Sequence, residues 1–244
     1  MYKPREVIQM EYKKYKTELH CHSKEVSPCA GEPAENIVEK YVRYGYSTIV
    51  LTNHLTEHVL SLGAPNGTWE EKVKFFVDGY RKLKKAAEGK LNILLGAEIC
   101  FPQYNNDYLL YGLTEEFLLS HENVYDTDIY TFHDNTWQDI ITIQAHPFRC
   151  NQHIIWPWGV DGWEVYNGHP DQKSANAAAK AYAETHPGRI YTSGTDHHDK
   201  GHFPAGGILT DFEIKTNEQL LRTLRGGYYS LIEEEDIRTG KKRL

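Results

Sequence analysis

The sequence has few cysteines, and none of them are arranged as a disulfide framework or a structural zinc site requires. Only four are present in 244 residues, and no two have the C-x-x-C spacing. Small secreted scaffolds and zinc fingers depend on closely spaced, paired cysteines. We therefore expect reduced thiols and a fold that is stabilised by its apolar core.

Long apolar runs and a surplus of basic residues are also missing. No stretch approaches the roughly 18 apolar residues that cross a bilayer, and MYKPREVIQMEYKKYK lacks the apolar segment of a signal peptide. The formal net charge of −7 disfavours an extended nucleic-acid surface, which needs clustered lysine and arginine. We expect a soluble cytoplasmic protein with no membrane partner, in an oligomeric state that the sequence leaves open.

The sequence does contain an alternation of strand-like and helix-like segments. Apolar, β-branched runs such as STIVLTNH and IITIQAHP alternate with amphipathic segments such as EPAENIVEKYVRYG. A long helix is predicted from Trp69 to about Glu88, and a last one in TNEQLLRTLRGG, with Thr216 or Asn217 as its N-cap and Gly226 beyond its end. This pattern predicts parallel strands covered by helices, in a single domain over residues 1–244.

Acidic and imidazole side chains recur at the predicted carboxyl ends of these strands. His20 and His22, in TELHCHS, lie two residues apart and would project from one face of a strand. In an α/β barrel the carboxyl ends of the strands meet on one face, where active sites form. Each residue alone has an ordinary surface or turn interpretation, but a shared site explains the recurrence better. The other members of the group are His54, Glu98, His146, Asp196 and His198.

Together these motifs resemble those of the PHP superfamily, the polymerase and histidinol phosphatase family of metal-dependent phosphoesterases. LHCHS is similar to its first motif, IVLTNH to its second, GAEI to its third, AHPF to its later histidine motif and SGTDHH to its closing Asp-x-His. The resemblance implies a distorted TIM-like (β/α)7 barrel that holds two or three divalent metal ions. A mixed imidazole and carboxylate ligand set suits Zn, Mn or Fe(II).

The resemblance also implies which residues hold each metal, with one carboxylate shared between two of them. The implied ligands are His20, His22, Glu98 and Asp196 for the first metal, Glu98 and His146 for the second, and His54 and His198 for the third.

Two departures from the family pattern leave ligands to be assigned. The chain reads HSKEVSPCAG where many members have Ser-Asp-Gly, so Glu25 is the predicted replacement on the third metal, with Cys29 as a weaker alternative. It reads DYLLYGL where members often carry a histidine, so Asp107 is predicted to complete the second metal. His121, at an apparent helix end, and His133, in an expected loop, compete for that position. A solvated charge at Glu25 and a turn residue at Asp107 are the ordinary alternatives.

The reaction that the resemblance implies is hydrolysis of a phosphate ester by a hydroxide bridging two metals. Arg149, which follows AHPF, is the candidate clamp for a small phosphorylated substrate, and a surface salt bridge is its alternative role. Phosphatase and phosphodiesterase activity are equally open. An amidohydrolase-like C–N hydrolase, whose barrels also combine H-x-H with later histidines, and a noncatalytic metal-binding domain are the other functions to be tested.

Overall fold

The computed structural model describes residues 14–233, and its strands form a single sheet. The strands are β1 Tyr15–Cys21, β2 Tyr46–Leu51, β3 His54–Leu55, β4 Asn92–Cys100, β5 Asp107–Tyr111, β6 Ile141–Gln144, β7 Gly162–Asn167, β8 Ile190–Gly194, β9 Gly206–Thr210 and β10 Ser230–Glu233. Their order is β10-β9-β1-β2-β4-β5-β6-β7-β8, and β3 pairs with β4.

The sheet curves until β1 and the chain beyond β8 meet, which makes it a nearly closed barrel. A parallel bridge joins Cys21, at the end of β1, to His197, which follows β8. The N–H of His22 donates to the carbonyl of His197 at 2.9 Å, and the N–H of His197 donates to the carbonyl of His20 at 3.3 Å. The predicted distorted TIM-like α/β barrel is thereby confirmed, with ten strands in the described residues rather than seven.

The direction of β5 departs from the all-parallel expectation. β1, β2 and β4 run parallel, as do β6, β7 and β8, but β5 is antiparallel to both β4 and β6. Residues 101–106, between β4 and β5, are too few for the crossover helix that a parallel pair needs. As a result the first residue of β5 lies beside the carboxyl ends of its neighbours. β9 is antiparallel to both β1 and β10.

Helices cover the outside of the barrel. They are α1 Ala34–Arg43, α2 Glu57–Gly63, α3 Trp69–Ala86, α4 Glu115–Ser120, α5 Ile129–Thr136, α6 Asn176–Glu184 and α7 Asn217–Gly226. The predicted long helix is α3, which begins with a capping box between Thr68 and Glu71. Thr216 caps α7, and Gly227, with a φ of 66°, ends it, so Gly226 is its last residue rather than the residue beyond it.

Apolar packing between the sheet and its helices forms a core that uses none of the candidate metal ligands. Ile37 and Tyr41 of α1 pack with Ile49 and Leu51 of β2 in one buried cluster. Each fully buried side chain of this kind contributes about 1.5–3 kcal/mol to folding. We therefore expect the protein to fold without metal.

No helix in residues 14–233 combines the length and the apolar character that crossing a bilayer requires. Most of the N-terminal stretch that was predicted not to be a signal peptide lies outside the described residues. The cytoplasmic location and the assignment of residues 1–244 to one domain stay predictions.

Candidate metal centre

Two histidines at the carboxyl end of β1 converge on one point. His20 lies in β1 and His22 follows that strand directly. Because side chains two residues apart on an extended chain share a face, both rings turn the same way. Both residues are fully buried, and their Nε2 atoms lie 3.1 Å apart. The chelating geometry expected of H-x-H is thus present.

Two carboxylates face these histidines. Glu98, in β4, places Oε1 3.3 Å from His20 Nε2 and Oε2 3.2 Å from His22 Nε2. Asp196, which follows β8, places Oδ1 3.3 Å from His20 Nε2. The φ of Asp196 is 55°, in the left-handed region that aspartate tolerates better than most residues. The residues implied for the first metal therefore form one buried group, which we call the inner cluster: His20, His22, Glu98 and Asp196.

Glu98 also faces a second set of candidate ligands. His146 Nε2 lies 3.2 Å from Glu98 Oε1 and 3.9 Å from Asp107 Oδ2. Asp107 reaches this place because β5 runs antiparallel to β4, which pairs its first residue with Cys100 at the end of β4. Potential ligand atoms of Glu98, Asp107 and His146 all lie within 4.8 Å of one another. A single carboxylate is thus shared by two ligand sets.

A third set combines His22 with His54 and His198. Potential ligand atoms of the three lie within 4.8 Å of one another. β3 pairs with β4 so that His54 stands opposite Glu98, and its Nδ1 lies 3.2 Å from Glu98 Oε2. The rings of His22 and His198 stack with their centroids 4.3 Å apart. Both residues implied for the third metal therefore border the inner cluster.

Glu25 does not join these sets. Its Oε1 accepts a hydrogen bond from the N–H of Ala34 at 3.2 Å, in the first turn of α1, where a carboxylate also interacts favourably with the helix dipole. No set of potential ligands among residues 14–233 includes Glu25. The structure therefore does not support Glu25 as the replacement for the missing aspartate. Cys29, the weaker alternative, is exposed at the cavity that these sets line.

The histidines that compete with Asp107 lie elsewhere. His121 follows α4, where its exposed ring stacks on Phe117 at 4.0 Å and its Nδ1 is 2.8 Å from the Phe117 carbonyl. His133 lies in α5, not in the loop that the sequence suggested, and faces Asp161 at 3.5 Å. Within the described chain neither histidine belongs to a set of potential ligands.

Hydrogen bonds fix which ring nitrogen four of the candidate histidine ligands present. His20 Nδ1–H donates to Glu164 Oε1 at 2.9 Å, and His198 Nδ1–H donates to the carbonyl of Asp196 at 3.0 Å. Both acceptors lack a hydrogen of their own, so the proton of each neutral ring is on Nδ1 and its Nε2 carries a lone pair.

The same arrangement holds for two more rings. His22 Nδ1 lies 3.3 Å from Ser27 Oγ, and because the Ser27 hydroxyl donates to Asn53, it accepts from His22. His146 Nδ1–H donates to the side-chain oxygen of Gln152 at 2.8 Å, in the amide orientation that also lets the Gln152 nitrogen donate to the His146 carbonyl. Each Nε2 is therefore left with a lone pair.

This donor and acceptor pattern fits a divalent metal. Metal-binding histidines commonly donate their other ring N–H to a carboxylate, carbonyl or similar acceptor, as these do. In the inner cluster two Nε2 lone pairs and the carboxylate oxygens of Glu98 and Asp196 face one another at 3.1 to 3.3 Å. Buried acceptors so close together are unfavourable unless a cation or a proton lies among them.

The pKa values of the site residues also indicate that positive charge is favoured there. Burial opposes a charged His20, but the charges of Asp196, Glu164 and Glu98 raise its pKa well above the usual range. Burial and the charge of Glu98 raise the pKa of Asp107 to about 7. Although burial opposes their charge, nearby histidines hold the pKa values of Glu98 and Asp196 well below their usual range. The site thus favours positive charge at its centre, which a proton on His20 or a divalent cation would supply.

Glu164, in β7, links the ligand sets, although it lies outside the motifs that predicted the site. Besides His20, its carboxylate accepts from the N–H of His146 and from Asn167 Nδ2, both at 2.9 Å. His146 has a φ of 28°, so this bond holds a residue in an unusual backbone conformation. A Cβ at Gly194 would lie 2.6 Å from Glu164 Oε1, so only glycine leaves room there. A glutamate inside the apolar run GWEVYN was the available signal.

Arg149 lies at the site, where it already has partners. Its Nη2 donates to Asp196 Oδ2 at 2.9 Å and to Asn167 Oδ1 and Ser174 Oγ at 3.1 Å each. Its Nε is buried without a hydrogen-bond partner among residues 14–233. The predicted phosphate clamp therefore contacts a candidate metal ligand directly, and its role toward substrate stays a prediction.

A cavity of about 350 Å³ opens onto these residues. Two of its histidines, His169 and His202, had no assigned place in the sequence analysis; both follow strand ends, but outside the recognised motifs. The cavity is lined by Cys29, His54, Glu98, Asp107, His146, Arg149, His169, Asp171, Gln172, Asp196, His198, Asp199 and His202.

No protein-family model matches the sequence, and no curated protein matches it either. Among solved structures, the chain resembles a two-domain protein of Bacteroides vulgatus that contains a predicted PHP-like metal-dependent phosphoesterase. The TM-score is 0.67 at 15% identity, and the match covers 91% of this chain and 66% of that one. The chain thus spans slightly less than two thirds of that relative.

Two other matches have TM-scores below 0.5 and support no structural argument. One is a protein of Bifidobacterium adolescentis described as a metal-dependent phosphoesterase, with a TM-score of 0.46, 14% identity and coverage of 85% and 95% of the two chains. The other is an amidohydrolase of Chromobacterium violaceum, with a TM-score of 0.48, 12% identity and coverage of 91% and 99%. The first match, together with the barrel described above, shows that this chain has the fold of a PHP-like phosphoesterase domain, as its motifs indicated.

Proposed function

We propose that this protein hydrolyses phosphate esters with the help of two or three divalent metal ions. The observation that carries the proposal is Glu98, whose carboxylate is shared by two sets of potential ligands. A carboxylate in this position suits a multinuclear site, and such sites recur in enzymes that displace groups at phosphorus. Zn, Mn and Fe(II) all suit the mixed ligand set.

When bound, the metals would supply Lewis acidity, which activates water and neutralises phosphoryl oxygens. The residues of the chain hold and orient the ligands for this chemistry. Glu164 and Ser27 accept from the Nδ1 atoms of His20 and His22, which keeps both Nε2 atoms turned inward. Because these rings are buried, little rearrangement is needed when metal binds.

Arg149 supports the proposal from the substrate side. Its guanidinium lines the cavity and is held by Asp196, Asn167 and Ser174, so it is positioned before a substrate arrives. A planar guanidinium matches the geometry of phosphoryl oxygens. The cavity volume of about 350 Å³ lies at the lower end of the range typical of small-molecule sites. A small phosphorylated compound is therefore the proposed substrate.

Metal removal and Asp196→Asn together test the proposal. We expect the chelated protein to stay folded by circular dichroism and to lose activity on phosphate esters, and activity to return with Mn, Zn or Fe(II). Asparagine tolerates the left-handed backbone at this position, so Asp196→Asn should lower metal content and turnover far more than stability.

A panel of phosphate monoesters, diesters and amides identifies the reaction. Cleavage of amides alone would replace the proposal with a C–N hydrolase. Metal uptake without any turnover would indicate a noncatalytic domain. Full activity after verified removal of all metal would overturn the mechanism.

A further inference from the structure

Two histidines of the cavity wall lie outside the ligand sets that the motifs define. We call His169, which follows β7, and His202, in the loop after β8, the rim pair. Their ring centroids are 4.7 Å apart, and both border the cavity. Potential ligand atoms of the rim pair and of His198 lie within 4.8 Å of one another. Proximity alone would suggest a further metal site.

The hydrogen bonds of the rim pair indicate a different role. The N–H of Asp171 donates to His169 Nδ1, and the N–H of His198 donates to His202 Nδ1, each at 3.1 Å. A nitrogen that accepts a hydrogen bond carries no proton, so the ring proton of both histidines is on Nε2. His202 Nε2 lies 3.5 Å from an acceptor, Asp171 Oδ2, in agreement with this assignment.

This proton position is the reverse of that in the candidate ligands. His22 and His198 donate through Nδ1 and present an Nε2 lone pair, whereas the rim pair accepts at Nδ1 and presents an Nε2–H group. To bind metal through Nε2, either rim histidine would have to move its proton to Nδ1. That proton would then face a backbone N–H about 3 Å away. Because both groups are donors, the hydrogen bond between them would be lost. Metal binding is therefore disfavoured at the rim pair.

We propose that His169 and His202 are hydrogen-bond donors that bind, together with Arg149, the anionic oxygens of a phosphate monoester. This inference rests on the proposed function for the identity of the anion. All three residues line the same cavity, so donors from three segments of the chain border the space beside the ligand sets.

The charges around the cavity favour a small monoester over a longer polyanion. Asp171 and Asp199 also line the opening, and the Asp171 side chain is 79% exposed. These carboxylates repel the further phosphates of an oligonucleotide. A monoester carries its full charge on one phosphoryl group with three terminal oxygens, which the donors can share. Asp171, exposed and 3.5 Å from His202 Nε2, is a weak partner that a phosphoryl oxygen can replace.

The proton positions can be measured directly. Long-range proton–nitrogen correlation spectra of the ¹⁵N-labelled, metal-free protein distinguish the two neutral forms of each histidine. We expect His169 and His202 to be protonated at Nε2 and His22 and His146 at Nδ1. Protonation of the rim pair at Nδ1 would overturn the proposal whatever the activity of the protein.

Substitutions test the binding role with inorganic phosphate as the probe. In the metal-loaded protein we expect His169→Ala and His202→Ala each to weaken phosphate binding about tenfold or more, since a hydrogen bond to a charged group is lost. Metal content should not change. Glutamine places an amide donor close to the position of Nε2–H, so His169→Gln should retain more affinity than His169→Ala. His58→Ala, on the exposed face of α2, is the matched control.

The outcomes separate this proposal from the proposed function. A fall in metal content in the rim variants would show that the pair are metal ligands and would overturn the inference. Unchanged phosphate affinity in these variants would also overturn it, as would a lack of phosphate binding by the unaltered protein. If the unaltered protein binds metal and phosphate but hydrolyses no ester, the proposed function fails. The donor pair is still supported in that case if its variants bind phosphate more weakly.

Discussion

Two fully buried glutamates, Glu18 in β1 and Glu164 in β7, both contact His20 but differ in their other partners. Glu18 accepts hydrogen bonds from the N–H groups of Leu19 and His20, from the N–H and hydroxyl of Thr195, and from the hydroxyl of Tyr41. These partners join β1 to the segment after β8 and to α1. Burial raises the pKa of Glu18 in spite of these bonds. Its carboxylate therefore joins elements of the fold.

Glu164 contacts the candidate metal centre through a ligand side chain. It accepts from the side chain of His20, from the backbone of His146 and from Asn167, whose amide also donates to Asp196 at 3.2 Å. Its partners thus belong to both the first and the second ligand set. The comparison shows that burial alone does not indicate the role of a carboxylate. The groups that donate hydrogen bonds to it do. Substitution of the two glutamates should separate folding from metal binding.

Glu18→Ala is expected to have the largest effect on stability. It removes one acceptor from several buried donors of Thr195, Tyr41 and the β1 backbone, so the free energy of unfolding should fall by about 3 kcal/mol or more. Urea denaturation of the metal-free protein measures this change. The metal affinity of the folded fraction should change less than in Glu164→Gln. A variant as stable as the unaltered protein would show that these bonds contribute nothing net.

Glu164→Gln is expected to act mainly on metal binding. The amide keeps the volume but cannot accept at both oxygens, so either His20 or the His146 backbone loses its partner. Loss of such a partner typically lowers metal affinity about 10- to 100-fold. Calorimetric titration of the metal-free protein with Mn or Zn measures it. A loss of stability equal to that of Glu18→Ala, with unchanged metal affinity, would erase the distinction between the two glutamates.

Asp107→His is expected to have a smaller effect, on metal preference rather than on metal uptake. Asp107 lies 3.9 Å from His146, and its side chain is 34% exposed. An imidazole there removes a negative charge and a hard oxygen ligand, so preference should shift away from Mn. Asp107→Ala should empty or weaken one metal position. Metal content of protein loaded with mixtures of Mn and Zn measures both.

His121→Ala is the control for the Asp107 variants, because the His121 ring is exposed and stacks on Phe117. It should leave metal content unchanged. Metal loss in His121→Ala, with none in Asp107→Ala, would show that the second ligand set is wrongly assigned.

Much of the site could be read from local sequence because strands impose a simple geometry. His20 and His22 share a face because strand side chains repeat every two residues. Strand ends meet in a barrel, which brings near them His54, Glu98, His146, Asp196 and His198. Asp107 was placed by resemblance alone. The reversal of β5, which puts it beside His146, follows from the short connection formed by residues 101–106.

Other assignments depended on groups that arrive from distant parts of the chain. Glu25 was a plausible ligand by position, but the N-terminus of α1 provides the donor that its carboxylate meets. Glu164 lies in an apolar run, where nothing in the local sequence indicates a partner. Its donors come from β1 and from the segment after β6.

The sequence by itself determined the alternation of strands and helices and the recurrence of histidines and carboxylates at strand ends, because both follow from patterns within single segments. Its motifs indicated the barrel by resemblance. Only the tertiary structure decided which nitrogen of each histidine carries the proton. The ring centroids of His198 and His169 lie 5.3 Å apart. His198 nevertheless donates to a carbonyl through Nδ1, whereas His169 accepts from a backbone N–H at Nδ1. A histidine binds metal or donates to an anion according to the partner of its other nitrogen, and folding alone supplies that partner.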